Sequence, residues 1–239
     1  KRQAKSRKEH TTVSLVGYTN SGKSTLMNRL TEAGVLVEDK LFATLDTKTS
    51  ICDLGNGRKV ILSDTVGFIR KLPHHLISSF EATLEEVIWA DFLLHVVDVS
   101  SPDVIEQVKA ANNVLKELDC SKKPSIMVLN KVDVLKNSSI VTFFQSKYDN
   151  VVTISALNGN GLEKLKQEIV SFANRGVTEI KLECDASDGK LLAYIYEHSQ
   201  VLKRTFVNSG VNFHIMINEK NLSKLYQLGE GHFKVTQLS

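Results

Sequence analysis

The order of apolar runs along the chain predicts an α/β fold, a mostly parallel six-stranded sheet with helices on its faces, followed by a small α+β domain. Two observations carry this. From Thr11 to about Arg175, strand-like runs alternate with segments of helical spacing. After Asn174-Arg175-Gly176 the pattern changes to the alternation Val177-Thr178-Glu179-Ile180-Lys181-Leu182-Glu183, which suits a half-buried strand. Three segments result: a basic stretch over 1–10, a large domain over 11–175 and a small one over 176–239.

In chain order, strands are predicted at Val13 to Val16, Thr49 to Asp53, Lys59 to Asp64, Phe92 to Val97, Ser125 to Leu129 and Val151 to Ile154. The turn Leu54-Gly55-Asn56-Gly57 is too short for a crossover, so the second and third strands form an antiparallel hairpin at one edge. The other strands are separated by helices or long loops and run parallel. Helices are predicted near 23–33, 75–89, 103–118, 138–147 and 161–174, two of them started by Ser101-Pro102-Asp103 and Asn160-Gly161. The small domain reads as strand, helix (Gly189 to Gln200), two strands (Val201 to Val207 and Val211 to Ile217) and a last helix from Asn218 or Glu219.

Between the first strand and first helix lies Gly17-Tyr18-Thr19-Asn20-Ser21-Gly22-Lys23-Ser24, followed by Thr25. A strand feeding such a loop into a helix is a phosphate site. Its glycines let backbone N–H groups curl around the anion, and the helix N-terminus adds partial positive charge. Lys23 neutralises the outer phosphates, and the Ser24 hydroxyl can sit on Mg2+.

The whole chain limits the remaining possibilities. Its 239 residues suffice for a typical domain plus an appendage. No apolar run approaches the ~20 residues of a membrane span, and no signal-peptide core follows the first ten residues. A cytoplasmic protein without a membrane span is expected, acting as a monomer. Cys52, Cys120 and Cys184 are widely spaced, suggesting ordinary thiols rather than a disulfide framework or metal pair. The net charge of +3 is concentrated in Lys1, Arg2, Lys5, Arg7 and Lys8. That segment can touch RNA phosphates or simply be solvated. From 176 onward acidic and basic residues balance, so the small domain shows no nucleic-acid footprint by charge. The chain begins without Met, which reads as a fragment lacking an N-terminal part.

Three further motifs fall at strand ends. Asp64-Thr65-Val66-Gly67 closes the third strand, where an Asp faces the Mg2+ shell and a Gly the γ-phosphate. Asn130-Lys131-Val132-Asp133 follows the fifth. A carboxylate there accepts from the N1–H and exocyclic amine of guanine, a donor pair that adenine lacks. Ser155-Ala156-Leu157 at the last strand offers a backbone N–H to the guanine oxygen. In this order the motifs describe a GTP/GDP site. The loop from about Val35 to Lys48 occupies the first-switch position. Thr44, Thr47 and Thr49 each offer a hydroxyl to Mg2+, and spacing does not choose among them.

These segments, together with Leu41-Phe42-Ala43-Thr44-Leu45-Asp46, Phe68-Ile69, Leu72-Pro73-His74, Ser79-Phe80-Glu81-Ala82-Thr83-Leu84-Glu85-Glu86 and His95-Val96-Val97-Asp98, resemble the HflX GTPases over about 11–175. The resemblance implies a Ras-like P-loop GTPase domain and chooses Thr44 as the first-switch Mg2+ ligand, beside Ser24 and Asp64. It places Phe42, Ala43, Leu45 and Asp46 along the nucleotide, with Lys23, Thr44 and Gly67 in catalytic roles. It also implies binding to the large ribosomal subunit and its rRNA. The small domain is similar in pattern to the appended domain of bacterial HflX proteins, and Lys1 to His10 resembles the end of the family's connecting helical segment. The chain departs from many relatives at Asp46-Thr47-Lys48-Thr49, where they carry Pro after the Asp.

Phe68 stands where Ras-like enzymes place a water-orienting Gln, and a phenyl ring has neither donor nor acceptor for that water. Slow intrinsic turnover, raised by the ribosome, is expected. By its loop position in related GTPases, Asn20 is a candidate K+ ligand, against the alternative of a simple loop cap. His74 and His75 read as solvated helix-start residues, His95 as a satisfied core histidine, and Glu81, Glu85 and Glu86 as a charged helix face. The leading reading is a Mg2+-dependent GTP hydrolase. The alternatives are a nucleotide-gated binding module with incidental hydrolysis and a broader NTPase that also accepts ATP.

Overall fold

The computed structural model describes residues 11–31, 48–55, 58–65, 67–68, 81–207, 210–229 and 233–237. Two compact units divide near residue 173. In the first, β1 (Thr11–Val16), β2 (Lys48–Asp53), β3 (Lys59–Asp64), β4 (Phe92–Asp98), β5 (Ser125–Asn130) and β6 (Val151–Thr153) form one sheet in the order β2-β3-β1-β4-β5-β6. β2 pairs antiparallel with β3 at the edge, and the other neighbours are parallel. The predicted mostly parallel six-stranded sheet is therefore present.

The central strands are apolar because both faces are covered. β1, β3, β4 and β5 are buried over most of their lengths, while edge strand β2 buries only Cys52. The helices are α1 (Lys23–Thr31), α2 (Glu81–Trp89), α3 (Val104–Glu117), α4 (Ser139–Lys147) and α5 (Leu162–Ala173). α3 shows why an amphipathic stretch folds here. Val104, Val108, Ala111 and Leu115 recur at helical spacing, and all four are buried. Asp103 makes no side-chain cap to this helix; Ser101 holds the start instead, its Oγ accepting from Asp103 N and Gln107 Nε2. Gly161, at φ 77°, precedes α5 with its Cα against the sheet, where a Cβ would come within 2.2 Å of the Thr153 carbonyl oxygen. Only glycine fits both the angle and the approach.

The second unit contains β7 (Val177–Asp185), α6 (Gly189–His198), β8 (Ser199–Val207), β9 (Gly210–Asn218), α7 (Glu219–Leu228) and β10 (Phe233–Gln237), in the antiparallel order β10-β7-β9-β8. This βαββαβ order is the split-βαβ arrangement. Ile180, Leu182 and Cys184 alternate on β7 and meet Val211, Phe213, Ile215 and Ile217 of β9 in one core with Leu191, Ile195 and Leu225 of the helices. Two expectations change. β10 is an additional strand, and α6 ends at His198 because Ser199 and Gln200 already pair with Ile217 and Met216. The Asp188 carboxylate caps α6, accepting from Leu191 N at 3.0 Å. All three cysteines are buried and free. Among the described residues no helix is long and apolar enough to cross a membrane.

Candidate functional site

The glycine-rich loop joins β1 to α1 in the middle of the sheet, where two conformational demands fall on glycine. Gly17 has φ 147°, and a Cβ there would lie 2.2 Å from the Val96 carbonyl oxygen; Gly22 has φ 93°, and its Cβ would lie 2.2 Å from Asn130 Nδ2. The loop is thus pressed onto the ends of β4 and β5. Asn20, at φ 61°, is the exposed left-handed residue at the loop's outer turn.

Lys23 turns back into the loop. Its Nζ donates to the carbonyl oxygens of Gly17 at 3.2 Å and Tyr18 at 2.9 Å. Burial lowers its pKa to about 8, partly opposed by the Asp64 carboxylate. Such an ammonium is destabilised until an anion reaches it. Ser24 Oγ donates to Asp64 Oδ2 at 2.6 Å, joining the start of α1 to the end of β3. Thr65 Oγ1 donates to the Leu15 carbonyl at 2.6 Å, so this side chain braces β1 from within the core. Thr25 is partly buried on α1.

Gly67 and Phe68 lie across the loop. Phe68 N donates to Gly17 O at 3.0 Å, and Thr19 N donates to Phe68 O at 2.9 Å, a parallel bridge between Tyr18 and Phe68. A Cβ on Gly67 would fall 2.7 Å from Thr19 Cα and 3.0 Å from Lys23 Nζ. Only a residue without a side chain can lie this close to the Thr19 backbone. The Phe68 ring is 1% exposed, packed with Val16, Leu84, Val87 and Leu93. It acts as a core anchor under α2.

Asn130 is a brace between loops. Its Nδ2 donates to Ser21 O at 2.9 Å, and its Oδ1 accepts from Ala156 N at 2.9 Å. The Ser155-Ala156-Leu157 segment is held a second time by Arg29 of α1, whose Nε donates to Ala156 O at 3.1 Å and whose Nη2 donates to Leu157 O. Sequence reasoning missed Arg29, since nothing local to it signals a partner 127 positions away. Lys131 is left-handed at φ 66° and pairs with Asp98 at 2.7 Å. Val132–Val134 form a 3-10 turn that carries Asp133 at an exposed position. Ser155 is fully buried and Leu157 is exposed.

The structure therefore brings together residues 17–25, 64, 65, 67, 130–133 and 155–157 around one end of the sheet. Phe42, Ala43, Thr44, Leu45, Asp46, Thr47, Val66, His74, His75 and the segment 1–10 lie outside the described residues. Thr49 belongs to β2, in register with Ser63. Glu86 reaches inward, its Oε2 accepting from Ser63 Oγ at 3.2 Å, so it is more than a charged face. His95 is buried, as expected of a core histidine. Burial, then the nearby Lys23 charge, lowers its pKa to about 4. The imidazole is neutral at physiological pH.

Comparison with known proteins agrees with this geometry. A family model described as 50S ribosome-binding GTPase matches residues 12–131, and one described as HflX C-terminal domain matches residues 142–237. The chain belongs to the HflX family of GTPases. GTPase HflX of Magnetococcus marinus is 45% identical over 208 residues, 87% of this chain and 47% of that protein. GTPase HflX of Escherichia coli is 39% identical over 216 residues, 87% of this chain and 49% of that protein. The chain thus spans about half the length of these HflX relatives. Among solved structures, a GTP-binding protein of Sulfolobus solfataricus in complex with GDP superposes with TM-score 0.57 and 32% identity, covering 73% of this chain and 56% of that one. Era of Aquifex aeolicus bound to GDP and AlF4− superposes with TM-score 0.59 and 26% identity, covering 68% and 56%. The first unit of this HflX-family chain is accordingly a Ras-like P-loop GTPase domain. The C-terminal family model begins within α4, ahead of the compact second unit.

Proposed function

We propose that the chain binds GTP with Mg2+, hydrolyses it slowly, and uses the nucleotide state to govern association with the large ribosomal subunit. The supporting observation is the convergence on one loop of a buried lysine, the Ser24–Asp64 pair and the Asn130 brace that presents Asp133. Incoming phosphates replace the loop carbonyls around Lys23, returning this ammonium to a favourable charge partner. The N–H groups of the loop and of Gly67 then face the anion. Asp133, exposed on its turn, accepts from the guanine edge.

The donor set fits Mg2+. Ser24 and Asp64 supply hard oxygens 2.6 Å apart, and among the described residues no cluster of three or more His, Cys, Asp or Glu could hold a metal alone. This is the arrangement expected of an ion completed by phosphate and water. Ser24 and Asp64, with Thr44 from the first-switch segment, would hold the ion, which neutralises charge on the β- and γ-phosphates. Asn20, exposed at the loop's outer turn, is the candidate K+ ligand, and equal rates in K+ and Na+ would remove it.

Phe68 carries no group to orient water, so turnover by the chain alone is slow. The ribosomal partner is supported by the match to the 50S ribosome-binding GTPase family, and the domain boundary at 175/176 by the sequence pattern. Measuring GTP hydrolysis with and without large ribosomal subunits tests the reading. Stimulation and GTP-dependent binding are expected; neither occurring, or autonomous turnover at roughly the 5 to 20 per second of an activated GTPase, would refute it.

A further inference from the structure

We propose that Asp98 is a positioning residue for nucleotide binding, holding Lys131 in place before the base arrives and thereby slowing nucleotide release. The proposal rests on the guanine site described above. β4 and β5 run parallel with Asp98 in register with Asn130, and Val99 N donates to Asn130 O at 3.1 Å. The ends of the two strands are therefore locked side by side. One carboxylate oxygen of Asp98 accepts from both Ser100 N at 3.0 Å and Ser100 Oγ at 2.5 Å. The other meets Lys131 Nζ at 2.7 Å. This division of labour fixes the plane of the carboxylate while leaving one oxygen for the lysine.

Lys131 is an unusual residue to find at this backbone angle, since a left-handed conformation is unfavourable for a side chain with a Cβ. It persists where surrounding bonds over-determine it. Here it turns Asn130 inward to Ser21 and Ala156 and turns the next three residues outward as the 3-10 segment bearing Asp133. The lysine stem leaves the backbone between these two functions. A free lysine samples many rotamers, and ordering it on binding opposes affinity. With its ammonium anchored on Asp98, that ordering is complete in the nucleotide-free chain. The side chains are only 15% and 32% exposed, so solvent screens the pair less than it would a surface ion pair.

The same contact could serve only to tie the end of β4 to the loop after β5. A double-mutant cycle read on nucleotide release, with urea unfolding of the same nucleotide-free proteins beside it, separates the two, because a purely structural tie lowers stability and leaves release within about twofold of wild type. The full chain is loaded with fluorescent GDP in Mg2+, and release is followed by stopped flow for wild type, Asp98→Asn, Lys131→Met and the double variant. Asp98→Asn keeps an acceptor for Ser100 and removes the charge that holds Lys131. It is expected to speed release about tenfold, in line with loss of a charge-assisted hydrogen bond. In the Lys131→Met background the same change should alter release less than about twofold, because the contact is already gone. Equal acceleration in both backgrounds, or an Asp98→Asn rate within about twofold of wild type, overturns the proposal while leaving the guanine site intact. Wild-type chain that holds ADP as tightly as GDP overturns the guanine reading, and the proposal with it.

Discussion

Lys23 carries a charge that the nucleotide-free fold tolerates poorly, and that intolerance is measurable. Its pKa is about 8 in the folded chain against an ordinary 10.5. Below pH 8 the lysine is protonated in folded and unfolded chains alike, and the fold bears the full cost of the buried charge. Between pH 8 and 10.5 the folded chain sheds this proton while the unfolded chain keeps it, so stability rises with pH. At roughly 1.4 kcal/mol per pH unit, the whole window is worth about 3 kcal/mol. Lys23→Met removes this contribution. It does not strand the loop carbonyls, because Gly17 O still accepts from Phe68 N and Tyr18 O from Ser21 N. Urea unfolding of nucleotide-free wild type and variant from pH 7.5 to 10 isolates the effect. Trp89, the only tryptophan, lies in the first unit, so its fluorescence follows that unit. Wild type should gain about 2 kcal/mol on the variant between pH 8 and pH 10. Constant offsets drop out of this difference, and the Lys23–Asp64 attraction is already contained in the folded pKa of about 8. GDP at saturation should flatten the wild-type slope, since phosphate favours the ammonium. Parallel curves for the two proteins would refute the reasoning.

His95 gives the matching effect in acid. Its folded pKa near 4 lies below the ordinary 6.5, so stability is lost as pH falls through this interval, about 3 kcal/mol in all; His95→Met should unfold at lower pH, and an unchanged acid midpoint would contradict the assignment. The Ser21 hydroxyl is buried without a hydrogen-bond partner among the described residues. Ser21→Ala should therefore raise stability by about 1 kcal/mol in urea unfolding, and a loss of that size would show the hydroxyl to be bonded. Asn130→Ala removes both ties of the brace, to Ser21 O and Ala156 N. It should cost about 3 kcal/mol by the same assay, besides weakening nucleotide binding.

The strands of the first unit, the edge hairpin, the parallel sense of the rest and the motif-bearing strand ends were legible because each rests on local pattern, whether β-branched runs, helical spacing or a hairpin turn too short for a crossover. β10 was not legible, since the alternation Phe233-Lys234-Val235-Thr236 is too short to decide a strand and gains its place only by pairing with β7. The end of α6 was set by a competing strand pairing rather than by any stop signal. At the site, the residue types were readable and their partners were not. Asn130 reads as part of the nucleotide-binding motif without a stated partner, and both ends of its amide are bound within the protein. Phe68 reads as a poor substitute for a water-orienting residue, and the structure gives it a packing role. Arg29 carries no motif and Asp98 was legible only as the end of His95-Val96-Val97-Asp98, because their importance comes from residues brought near by the sheet.

The central claim is that the loop, the Asn130 brace and Asp133 together select guanine. Equilibrium displacement of fluorescent GDP from the wild-type chain in Mg2+, by GDP and by ADP, tests it most directly. The Asp133 carboxylate has two donors to accept from on guanine and none on adenine at the same edge, a difference of about 3 kcal/mol or more. GDP should displace the probe at concentrations at least about a hundredfold below those needed of ADP. Equal displacement by the two nucleotides would contradict the account.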